Sequence, residues 1–100
     1  MDISVTQEGS RTTIVLAGIM DRDGADEMGR TLPAAMVHQG GELVVDLQEV
    51  HFLGSAGIAR FLQIHDSVSS AGGRFRIVHL NPKLEGLFKA TRLDKLFPVV

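Results

Sequence analysis

Short apolar runs of strand length alternate along this chain with segments whose apolar residues recur at helical spacing. That alternation is the pattern of α/β architecture, in which each helix carries the chain across a sheet to the next parallel strand. Ile3 and Val5 alternate with Asp2, Ser4 and Thr6, as in a half-buried edge strand. Glu8 to Arg11 is a turn-rich stretch, and Thr12 to Ala17 forms a second run that ends at Gly18, so the two predict a hairpin. Asp21 to Gly24 reads as a helix start, followed at helical spacing by Ala25, Met28, Leu32, Ala35 and Met36. Pro33 predicts a bend or a restart in that helix, and Gly40-Gly41 its end. Leu43 to Leu47 is an apolar run that predicts a strand buried on both faces, and Gln48 to Gly54 then reads as a connection. Ser55 stands where an N-cap belongs, before Ile58, Phe61, Leu62, Ile64, His65 and Val68, and Ser69 to Gly73 closes this helix. Phe75 to Leu80 reads as a strand. Asn81-Pro82 is a cap followed by a first-turn proline, with Leu84, Leu87 and Phe88 behind it. Leu93, Leu96, Phe97, Val99 and Val100 read as a final turn and a short strand. No linker divides the order β-β-α-β-α-β-α, so residues 1–100 are expected to form one domain.

Several function classes fall away on composition. The 44% apolar and 22% charged content is that of an ordinary globular protein. The absence of cysteine excludes a disulfide scaffold, a thiolate metal site and cysteine catalysis. No apolar run approaches the roughly 20 residues that a membrane-spanning helix needs, so no direct membrane insertion is expected. Met1-Asp2-Ile3-Ser4 has neither a basic leader nor an apolar core, and the expected location is cytoplasmic. The net charge of −2 and the lack of tryptophan and tyrosine argue against a nucleic-acid partner. Residues 1–50 carry three basic and nine acidic residues, and residues 51–100 seven and three. That asymmetry fits complementary halves packed into one domain, or an acidic surface used for a partner.

Catalytic and ligand motifs are missing. Leu53-Gly54-Ser55-Ala56-Gly57 resembles the hydrolase elbow Gly-x-Ser-x-Gly but has leucine at its first position, and His79 sits on a strand reading of its own. His38, His51, His65 and His79 lie 13, 14 and 14 residues apart, without the i, i+4 spacing of a metal pair. No phosphate-cradling glycine loop is present. A small serine hydrolase is therefore disfavoured, and no cofactor and no metal are expected.

Ser55 is the most informative residue. As an N-cap it would be worth about 1 kcal/mol. The same place suits a phosphate, because a helix N-terminus offers free N–H groups and a positive dipole end. Gly54 and Gly57 leave its hydroxyl approachable.

The segment Leu43 to Ile58, with its apolar strand ending in Asp46-Leu47, its Val50-His51-Phe52 loop and its Gly54-Ser55-Ala56-Gly57 helix start, resembles the signature of the STAS domain family. Gly18-Ile19-Met20-Asp21 resembles that family's Gly-x-Leu-Asp motif, and Asn81-Pro82 before the third helix fits too. The resemblance runs over nearly the whole chain. It implies an α/β fold, a small mixed sheet of about four or five strands with helices packed mainly on one face. It further implies a partner-switching regulator of the anti-sigma-factor antagonist type. Unphosphorylated, such a protein binds a serine kinase/anti-sigma factor of the histidine-kinase-like ATPase type. Phosphorylation, here of Ser55, releases it, and a PP2C-type phosphatase resets it. Asp21, Asp46, Gly54 and Gly57 would shape the acceptor site. Gln48, Glu49, His51, Leu53, Ser55 and Ala56 would belong to the partner surface. The family usually has aspartate immediately before the serine, where this chain has Gly54. A second implied role is a constitutive subunit of a membrane lipid-transport complex that binds an ATPase subunit; such members commonly carry threonine at the position of Ser55.

Overall fold

The computed structural model describes residues 1–35 and 41–97, with the backbone alone for 32–35. Met36, His38, Gly40 and the expected terminal strand at Val99-Val100 lie outside the described residues, as do the side chains of Leu32 and Ala35. Strands β1 (Asp2–Glu8), β2 (Arg11–Met20), β3 (Glu42–Leu53) and β4 (Arg74–Val78) lie in that order in one sheet. The first pair is antiparallel and the other two are parallel. Helices α1 (Arg22–Ala35) and α2 (Ser55–Ser70) join the parallel strands, and α3 (Pro82–Thr91) and α4 (Leu93–Leu96) follow β4. The result is the mixed α/β sheet that the periodicity predicts.

The hairpin is tighter than its polar stretch suggests. Glu8 pairs with Arg11, leaving only Gly9 and Ser10 in the turn. Gly9 has φ +59°, which a type II′ turn asks of its first central residue. β1 is the expected edge strand, but less buried than its alternation implies. Val5 shares a face with Ile14 by register yet stays 43% exposed, and Ile3 is the part of β1 that packs on the core. α1 begins one residue after Asp21 and runs through Pro33 as one helix.

The core is a single cluster. Ile14, Leu16, Leu43, Val45, Leu47, Phe75 and Ile77 supply its sheet side, and Met28, Phe61, Ile64, Val68, Leu84 and Phe88 its helix side. Phe97 closes it, with its ring centroid 6.3 Å from Phe61, 5.6 Å from Phe75 and 6.4 Å from Phe88. The run of Leu43, Val44 and Val45 is buried on both faces, as its unbroken apolar character predicts.

The largest departure is the length of β3. The stretch Gln48 to Leu53, expected as a connection, continues the strand. Between Val15 and Ala17, β2 advances two residues while β3 advances from Asp46 to Glu49, and a second shift falls between Gly18 and Ile19. Each bulge adds a residue to β3, so its buried positions become Leu47, Val50 and Leu53 and the alternation is lost. Pairing with β4 stops at Asp46–Val78. The carbonyls freed beyond that point are taken by one side chain. Asn81 Nδ2 donates to the carbonyl oxygens of Leu47, Gln48 and Val50 at 3.1, 3.1 and 2.9 Å. Its Oδ1 accepts from Leu84 N–H at 3.0 Å, which caps α3.

Candidate functional site

Because β2 and β3 are parallel neighbours, their C-terminal ends deliver two helices side by side. Met20 and Leu53 are register partners, and Gly54 N–H donates to Met20 O at 3.0 Å. Asp21 then caps α1: its Oδ1 accepts from Gly24 N–H at 2.9 Å and its carbonyl from Ala25 N–H at 2.9 Å. Gly54 caps α2 in an extended conformation (φ −89°, ψ 177°), with its carbonyl accepting from Ile58 N–H at 3.1 Å. Ser55 is therefore the first helical residue, one place past the N-cap assigned to it from sequence. Glycine is itself a tolerated cap, so the helix does not need the serine there.

The consequence is chemical. Ser55 is exposed, and its hydroxyl makes no hydrogen bond among the described residues. It opens into a cleft of about 690 Å³ lined by Asp21, Arg22, Phe52, Gly54, Ala56 and Ala59. The floor beneath is packed tightly. A Cβ on Gly57 would overlap Met20 Cγ and stand 2.8 Å from Leu53 Cδ1. Gly57 thus lets α2 start directly against the strand ends. A Cβ at Gly54 would lie 3.0 Å from the Phe52 ring, so this ring partly fills the space that the family's aspartate would enter. Phe52 pairs in register with Ile19, and the two are 50% and 54% exposed.

The expected site residues separate into two groups. Asp21, Gly54, Gly57, Ser55 and Ala56 come together at the cleft. Asp46 does not. Seven residues of β3 follow it, which at about 3.3 Å each places it on the order of 20 Å from the helix start. Its Oδ2 lies 2.7 Å from His79 Nδ1, and its Oδ1 accepts from Gln48 N–H at 3.0 Å. A strand ending at Leu47, as the apolar run predicts, would put Asp46 at the sheet edge, but β3 continues to Leu53. Gln48, Glu49 and His51 are exposed on β3, whereas Leu53 is 6% exposed and belongs to the core. Arg22, Phe52 and Ala59 were not singled out as site residues. Phe52 carried a signal, an aromatic inside the stretch Gln48 to Gly54 that reads as a connection. Arg22 carried none beyond its place next to Asp21. No group of three or more His, Cys, Asp or Glu that could hold a metal occurs among the described residues. No described helix is long and apolar enough to cross a membrane.

The family model STAS_2, described as Mlab, STAS domain, matches residues 3–99. Three solved structures are similar over the whole fold. An anti-sigma factor antagonist from Mycobacterium paratuberculosis is 26% identical, with a TM-score of 0.84, over 98% of this chain and 83% of that one. An anti-sigma-factor antagonist (STAS) domain protein from Planctomyces limnophilus is 23% identical, with a TM-score of 0.83, over 99% and 89%. The Bacillus cell fate determinant SpoIIAA in its phosphorylated form is 16% identical, with a TM-score of 0.74, over 99% and 91%.

Proposed function

The chain belongs to the STAS domain family, and from that premise we infer that it is a partner-switching regulator governed by phosphorylation of Ser55. The observation that carries the reading is the state of the Ser55 hydroxyl: exposed, unbonded, and set on the rim of a cleft at a helix start. A serine kept there for capping would be bonded to its own helix. Transfer of the γ-phosphoryl group of ATP to Ser55 Oγ, with release of ADP and a proton, adds about −1.5 to −2 charges at one spot. An interface formed around a neutral hydroxyl must then bury that charge, which costs several kcal/mol and lowers affinity by orders of magnitude. No large backbone movement is required. The partner in this reading is a serine kinase/anti-sigma factor of the histidine-kinase-like ATPase type, and a PP2C-type phosphatase restores the hydroxyl. The cleft face of Ala56 lies beside it, and the exposed groups of Gln48, Glu49 and His51 extend the partner surface away from it along β3. The chain acts as a binding module, not as an enzyme.

A second reading is a constitutive STAS subunit of a membrane lipid-transport complex bound to an ATPase subunit. The observation favouring it is Gly54, which leaves Ser55 without the carboxylate usual before the phosphoacceptor. Capture from extracts of the protein's own cells separates the two. Wild type and Ser55→Ala are expected to retain an ATP-binding partner, and Ser55→Asp to retain at least ten-fold less, with all three unfolding at about the same temperature because Ser55 bonds nothing. Equal retention by the two variants contradicts the switch and supports the constitutive role.

A further inference from the structure

We propose that Arg22 is the counter-ion that receives the phosphate on Ser55. The inference rests on the reading of Ser55 as phosphoacceptor and adds the residue that answers it. Met20 and Leu53 are paired, and each strand passes through a single capping residue, Asp21 or Gly54, into its helix. Arg22 and Ser55 are thereby the first residues of α1 and α2, equivalent positions on elements that leave neighbouring strands, and neighbouring strands lie about 4.8 Å apart. Both line the same cleft.

The charges at the site single out Arg22. It is exposed and makes no hydrogen bond or ion pair among the described residues, so its guanidinium is free to turn to a new anion. The nearest competitor, Asp21, already has one carboxylate oxygen on Gly24 N–H. Position 54 carries no carboxylate at all. Three other arginines are engaged elsewhere: Arg60 with Asp26 and Gln63, Arg11 and Arg76 with Glu42. A guanidinium meets a phosphate with two parallel N–H donors, a geometry that lysine does not offer. Phosphorylation then acts twice at one point. It adds negative charge, and it withdraws a cation from the surface that the partner meets.

The test needs no kinase. Phosphoserine is incorporated at position 55 of the full chain during translation, and its phosphate is titrated by phosphorus NMR. The second ionisation of a phosphoserine lies near a pH of about 6. In the otherwise wild-type chain it is expected below that value. Arg22→Gln is expected to raise it by about half a unit or more, Arg22→Lys to keep most of the depression, and high salt to shrink the difference. Whatever the start of α2 contributes is common to all three proteins, so the difference isolates Arg22. The same midpoint in wild type and Arg22→Gln overturns the proposal. A chain that is never phosphorylated in its cells would sink the switch reading and leave this titration unaffected, so the two failures are distinguishable.

Discussion

At Gly57 the backbone of α2 comes so close to β2 and β3 that a single added methyl would overlap Met20 Cγ, and Met20 is wholly buried. Two effects oppose each other in Gly57→Ala. Alanine gains up to about 1 kcal/mol of helix propensity, less near a helix end. Overpacking into a filled core costs about 1–3 kcal/mol, and the Met20 carbonyl 3.3 Å from the new Cβ cannot give way as a side chain can. The clash is expected to win. Gly57→Ala should lower unfolding free energy by about 1–2 kcal/mol in a denaturant titration, and a more stable variant would show that α2 shifts freely. Ser55, two residues earlier, answers to no such constraint. Its reading as a cap and the observed cap at Gly54 differ by one residue because both types are accepted at that position. What sequence could not supply was the outcome, a hydroxyl left without a bond.

The elements were legible where their period was intact. The helical spacing of Ile58, Phe61, Ile64 and Val68 and the apolar run of Leu43 to Leu47 each appear as read. The second half of β3 was not legible, because two bulges change its burial period from two to three. That misreading also displaced Asp46 from its true place beside His79. The element that stabilises the bulged stretch is the side chain of Asn81, which holds three β3 carbonyls and caps α3 at once. Asn81→Ala removes a cap worth about 1 kcal/mol and leaves part-buried carbonyls unpaired at about 1–3 kcal/mol. A loss of about 2–4 kcal/mol is expected on thermal unfolding. Asn81→Ser should recover only the capping part. Full recovery by serine would mean that the β3 carbonyls find other donors.

Over the whole molecule, part of the charge asymmetry resolves into contacts between the halves. Glu42 accepts from Arg11 at 2.7 Å and lies 3.3 Å from Arg76 Nε, Asp26 lies 3.5 Å from Arg60, and Asp46 pairs with His79. Three of these pairs join an acidic residue of the first half to a basic residue of the second, while Lys89–Glu85 and His65–Asp66 lie within the second half. Exposed pairs of this kind are worth only about 0–1 kcal/mol each, so they set complementarity while the single apolar core supplies the stability. That arrangement leaves the Ser55 cleft, with Asp21 and Arg22, as the place where a charge change meets few prior commitments. The most direct test of the switch is the intact mass of this protein isolated from its own cells during growth and under stress. A one-phosphate increment that maps to Ser55 and changes with condition is the predicted result. A single unmodified mass in every condition would contradict it.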